Sequence, residues 1–223
     1  MISSISPPLY LGFSVAMACL YGVVFSWRVA GSGRLIAKGL AMLGLIFMAI
    51  SAQAPTTLQL ALIFAIVGDL LIVFGWTVTR FRLLHSCLAA YAAAYTLIIA
   101  TFIDIGLAPG WPALWAALVG APIIGGTLAF YGREIFTVSV VTLGYATLVL
   151  VMTIVAMMLP EPYLAAKVGA WFILFSGLVF GVELFRIPPQ ALNRRMITSP
   201  TIWFTYYGGL VLIVLNVLAA GRG

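Results

Sequence analysis

Residues 58–76 read Leu-Gln-Leu-Ala-Leu-Ile-Phe-Ala-Ile-Val-Gly-Asp-Leu-Leu-Ile-Val-Phe-Gly-Trp, with Asp69 as the single charge in nineteen positions. A helix that crosses a bilayer needs about 20 mostly apolar residues. A strand of a membrane barrel would alternate apolar and polar residues instead. This stretch is apolar on every side, so it predicts a membrane-spanning helix with a carboxyl group inside it.

The rest of the chain repeats the pattern. Of 223 residues, 64% are hydrophobic and 7% are charged, and mean hydropathy is +1.20. A soluble domain carries about 25% charged residues. So few charges cannot cover a water-facing surface, which excludes a soluble enzyme, a nucleic-acid binder and a disordered chain. The fold class that remains is all-α: one polytopic membrane domain over residues 1–223. Eight spans are expected, over Leu9–Ala30, Leu35–Ala52, Leu58–Trp76, Leu83–Ile103, Trp111–Tyr131, Ile135–Leu159, Val168–Arg186 and Thr201–Ala220. Turn formers such as Gly31-Ser-Gly33, Ala108-Pro-Gly110 and Pro188-Pro189 separate them. Met1-Ile-Ser-Ser-Ile-Ser-Pro-Pro8 has no basic region, so the first span is expected to be retained rather than cleaved as a signal.

Loop charges orient this bundle. On alternate sides, one face receives Arg28, Arg34, Lys38, Arg80, Arg82, Arg133, Arg186, Arg194 and Arg195, and the other only Lys167 and Arg222. Cytoplasmic loops carry the Lys/Arg excess, which places both termini on the non-cytoplasmic side. The bacterial cytoplasmic membrane is the expected location. The net charge of +6 is scattered over these loops, so no nucleic-acid partner is expected. Trp27, Trp76, Trp111 and Trp203 fall near span ends, where interfacial anchors sit.

The ionisable inventory narrows the chemistry. One histidine, His85, cannot make a bis-His haem or a three-His zinc site. Cys19 and Cys87 lack metal-ligand spacing. No metal or cofactor is therefore expected. A carboxylate at a helix centre costs about 2.5–3.5 kcal/mol on insertion scales. Asp69 lies about 10 Å from the Trp76 end of its span, too deep to reach the interface. It must face the bundle interior, as a proton donor or acceptor or as a structural hydrogen-bonding group. Glu183 lies near the end of the seventh span, three residues from Arg186. It either reaches the interface and pairs with a loop arginine or serves as a second acid. His85, beside Arg80 and Arg82, reads as headgroup-facing. Gly177 and Gly181 are four apart, a spacing that allows a close helix contact within the bundle or with another membrane protein.

Three stretches make a resemblance. Gly68-Asp69-Leu70-Leu71 is similar to a Gly-Asp motif in a third span. Gly169-Ala170 with Ser176 and Phe185 matches a seventh-span pattern. Tyr206-Tyr207-Gly208-Gly209-Leu210 is similar to a Tyr-Tyr stretch of a last span, and Phe81 and Tyr95 fit the ends of a fourth-span pattern. In this order they resemble the YhhN-like lysoplasmalogenase family of eight-helix membrane proteins. That resemblance implies hydrolysis of the vinyl ether bond of a lysoplasmalogen, giving a fatty aldehyde and a glycerophospho-alcohol. It implies Asp69 as one catalytic acid and Tyr95, Ser176, Tyr206 and Tyr207 as substrate-binding residues. The family's second acid falls on Gly177, its fourth-span His on Ala92 and its last-span Gln on Leu210. Glu183, the remaining carboxylate within a span, is the candidate replacement, although it sits six residues from Gly177. The alternative is a non-catalytic member of the fold, a lipid-binding or accessory subunit joined to a larger membrane assembly through Gly177 and Gly181.

Overall fold

Chains this apolar satisfy their backbone polar groups internally, and among the described residues every regular element is helical. A computed structural model describes residues 7–28, 31–75, 82–108, 110–188 and 190–221; the side chains of 75, 82, 123–124, 127–141 and 185 also lie outside the description. Expectations for Trp76, Arg80, Phe81, Arg82, Arg133, Phe185 and Arg222 fall on these residues.

The helices are α1 (Pro7–Leu20, continued by a π turn over Tyr21–Phe25), α2 (Ser32–Ser51), α3 (Thr56–Gly75), α4 (Arg82–Ile105), α5 (Trp111–Met157), α6 (Leu164–Arg186) and α7 (Leu192–Ala220). Among the described residues, six stretches are long and apolar enough to cross a membrane, one in each helix but α5, part of which lies outside the description. Large side chains such as Leu9, Val23, Phe64, Trp115 and Phe175 point outward. Outward Leu, Val and Phe on most helices suit a hydrocarbon solvent.

The fifth and sixth spans are joined in α5, whose 47 residues would reach about 70 Å if straight. The helix instead doubles back. The Ala108 N–H, just before it, donates to the Met158 carbonyl, just after it, at 2.6 Å. A Cβ on Gly120 would run into Leu150 thirty residues on. The spans expected over Trp111–Tyr131 and Ile135–Leu159 both fall within this one helix, so the expected eight spans are matched in part. The apolar Thr142–Met157 is the described part of the second arm.

The last helix starts at Leu192 rather than Thr201, running through Pro200. This carries Arg194 and Arg195 out of a loop and onto α7. Among the described glycines, the tightest approach to another backbone is between α6 and α7. A Cβ on either Gly169 or Gly209 would lie 2.6 Å from the other's carbonyl oxygen. The close contact thus falls two turns from Gly177, not on it. At the same end, Asn216 of α7 caps α6, accepting from the Ala166 N–H at 2.8 Å and donating to the Pro162 carbonyl at 3.1 Å.

Candidate functional site

The π turn of α1 is where the site begins. Its wider ring, closed by the Ser26 N–H on the Tyr21 carbonyl, places Tyr21 and Ser26 at one cavity. On α2, Arg34 and Lys38 are one turn apart and share a face. Both are buried, at 7% exposure each, and both line the same cavity. Asp69 of α3 faces them. Its exposure is 0%, and Lys38 Nζ lies 2.7 Å from its Oδ1. The Tyr91 hydroxyl of α4 donates to the same oxygen at 2.7 Å, and the Tyr206 hydroxyl of α7 to Oδ2 at 3.2 Å. Four helices therefore meet at one carboxylate. The expectation that Asp69 turns inward onto polar groups of neighbouring helices is met three times.

The Gly-Asp dipeptide has a local reason. A Cβ at Gly68 would lie 2.9 Å from the Tyr91 ring, so only glycine lets that ring lie flat enough to reach Asp69. Lys38 is held from its other sides by aromatic faces. Its ammonium lies 5.6 Å from the Tyr21 ring centre and 5.2 Å from that of Trp203, both within cation–π range. Trp203 is thus no interfacial anchor. It is buried, and its indole N–H donates to the Ala18 carbonyl at 2.9 Å. The wall beyond Asp69 is tyrosine. Tyr91 meets Tyr206 edge-on at 5.8 Å, and Tyr95 lies 5.9 Å from Tyr145.

Glu183 lines the same cavity and is 4% exposed, so it does not reach out to the interface. It pairs inward instead. Ser199 donates to its two oxygens at 2.8 and 2.9 Å, Thr198 donates to Oε2, and Arg195 Nε stands 3.5 Å from Oε1. All three partners lie on the early turns of α7, before Thr201, where the sequence predicts a loop. The cavity, about 70 Å³, has room for a few waters, and Arg34 and Ser199 are among the residues that line it.

Of the expected substrate-binding residues, Tyr95, Ser176 and Tyr206 line this cavity. Ser176 spends its hydroxyl on the Ile202 carbonyl at 2.9 Å. Tyr207 does not belong with them: successive residues on a helix diverge by about 100°, and it turns to α1, sharing a 2.6 Å hydrogen bond with Ser14. Gly177 lines the cavity, where among the described residues a Cβ would meet only the Tyr145 hydroxyl, at 3.7 Å. His85 is half-buried on α4 and is not among the residues lining the cavity.

Lys38, Tyr91, Tyr145, Arg195 and Ser199 were missed as site residues. Lys38 carried a signal, since it lay inside the span Leu35–Ala52 yet was counted with the loops. A lysine and an aspartate each buried in an apolar helix are each other's natural partner. Tyr91 and Tyr95, four apart, were a second signal. The orienting charge count also changes. Arg34, Lys38 and Arg195 are buried in the bundle, Arg28, Arg186 and Arg194 are exposed, and the other three of the nine lie outside the described side chains.

With this geometry in place, comparison with known proteins gives one match. The pattern of the YhhN family fits residues 33–217, a stretch that contains the Lys38–Asp69 pair, the tyrosine wall and Glu183. No curated protein and no solved structure matches the chain.

Proposed function

The chain belongs to the YhhN family, and on that premise we propose that it is an integral-membrane lipid hydrolase that cleaves the vinyl ether bond of a lysoplasmalogen. The supporting observation is that both carboxylates buried in the spans, Asp69 and Glu183, line one cavity, although they come from helices far apart in the chain. We place it in a bacterial cytoplasmic membrane with both termini on the non-cytoplasmic side, an orientation supported by the exposed Arg28, Arg186 and Arg194 at one end.

The chemistry asks for a proton, a stabilised cation and a water. Protonating the outer alkene carbon of the vinyl ether leaves an oxocarbenium ion on the carbon bonded to oxygen. Asp69 is the proton-transfer centre: the Lys38 ammonium, 2.7 Å away, supplies the proton that the Asp69 carboxyl passes to carbon, and the Tyr91 and Tyr206 hydroxyls hold that carboxyl in place. Having given up the proton, its carboxylate sits beside the cation it created. Glu183, fixed by Ser199 and Thr198, takes a proton from the water that adds to this carbon. The resulting hemiacetal collapses to the aldehyde and the free alcohol. The proton returns from Glu183 to the Asp69 cluster, so the net reaction consumes one water. This division of labour parallels that of two-carboxylate glycoside hydrolysis.

Aldehyde release from a lysoplasmalogen by the purified protein tests the reading. Asp69→Asn and Glu183→Gln are each expected to lower the rate by about 10²-fold or more. A folded, monodisperse wild-type protein that releases no aldehyde would refute it. Gly177, standing where the family's second acid falls, favours a second reading: a lipid-binding member without catalysis, serving a larger membrane assembly. That protein would bind the lysolipid in the same cavity and leave it intact.

A further inference from the structure

Among the described residues, the buried charges around the cavity do not balance. Lys38 is paired with Asp69, and Arg195 with Glu183. Arg34 is the third buried cation, and its described partners are neutral: its Nε donates to the Tyr21 hydroxyl at 3.4 Å and its Nη1 to the Arg28 carbonyl at 2.9 Å. No carboxylate among the described residues stands within ion-pair distance of it. Leaving one guanidinium charge buried without a counter-ion is expensive. These two hydrogen bonds hold the guanidinium in place without neutralising it. Arg34 also lines the cavity, so an anion that enters can reach it.

We propose that Arg34 anchors a phosphate site in the cavity, and that the phosphate is the headgroup phosphate of a single-chain lipid. The depth fits. Arg34 is the third residue of α2, at the level where a span begins. Lys38 lies one turn deeper, about 6 Å at the helical rise. In a glycerophospholipid, five bonds separate phosphorus from the oxygen that carries the chain, roughly 6 Å when extended. A phosphate on Arg34 therefore sets the first atoms of the chain beside Lys38 and Asp69. A planar guanidinium can hold two phosphate oxygens at once, which an ammonium cannot. The inference rests on the lipid reading above but not on hydrolysis.

The test is binding to the full-length protein in uncharged detergent. The probes are a 1-alkyl lysophospholipid, whose saturated ether is not a substrate, and the 1-alkylglycerol of the same chain length. Wild-type protein is expected to bind the phosphate-bearing probe about tenfold or more tighter. Arg34→Gln should lose that preference while binding the alkylglycerol as before, and Arg34→Lys should keep an intermediate preference. No preference in the wild type, or a full preference in Arg34→Gln, would overturn the proposal. The wild-type comparison needs no variant, so a misfolded Arg34→Gln leaves the refutation available. Inorganic phosphate and glycerol 3-phosphate serve as competitors. Displacement by either at the lysolipid's own concentration range would support the phosphate site and overturn the lipid as its source. Because neither probe is hydrolysed, a failure of aldehyde release would leave this readout unmoved, and the converse also holds.

Discussion

Removing the cation from the Lys38–Asp69 pair is the sharpest perturbation of this fold. In Lys38→Met the side chain keeps its length and its place between Tyr21 and Trp203, but Asp69, with 0% exposure, loses the ammonium at 2.7 Å. Breaking a buried pair from one side costs about 3–5 kcal/mol, because a buried charge is left uncompensated. Tyr91 and Tyr206 still donate to Asp69, which sets the expectation at the lower end, about 3 kcal/mol. Asp69→Asn leaves Lys38 in the same position and is expected to cost a similar amount. The double variant removes both charges together. It should cost about 3–4 kcal/mol rather than the roughly 6 kcal/mol of the two single changes added, a coupling of about 2–3 kcal/mol between the two sites. Unfolding in mixed micelles, followed by tryptophan fluorescence on all four proteins, measures the cycle. If the two single effects simply add to within about 0.5 kcal/mol, the pair does not act as a unit and the account of the site's centre is wrong.

Gly68→Ala should destabilise by about 1–3 kcal/mol in the same assay, since its Cβ would press on the Tyr91 ring at 2.9 Å. Gly209→Ala should do more damage than Gly68→Ala, because its Cβ meets the Gly169 carbonyl oxygen, which is backbone and cannot swing aside. Gly177→Ala is expected to leave stability unchanged or raise it by up to about 1 kcal/mol, given that its nearest neighbour would be 3.7 Å away and alanine favours the helix. A large loss there would mean the cavity is filled by protein. Ser199→Ala should weaken the hold on Glu183 by about 1–2 kcal/mol, seen as lower stability with an unchanged helical spectrum.

What the sequence alone determined is the part that depends on composition and on single residues. Sixteen charges in 223 residues require a bilayer as solvent. One carboxyl in the middle of an apolar nineteen-residue stretch requires an inward partner. The family resemblance likewise rests on short motifs, and Gly68-Asp69 is explained within one turn of helix. What only the tertiary structure decided depends on which helix faces which. Lys38, Tyr91 and Tyr206 reach Asp69 from positions 31, 22 and 137 residues away, and in helices apolar on all sides no hydrophobic stripe marks the inward face. The same lack of a stripe put the close glycine contact at Gly177 rather than at Gly169. Glu183 looked interfacial because its partners, Arg195, Thr198 and Ser199, lie beyond Pro200, where the last helix was expected not to extend. A proline removes one backbone donor, but bundle packing carries α7 through it, and that continuation brings the second carboxylate into the cavity of the first.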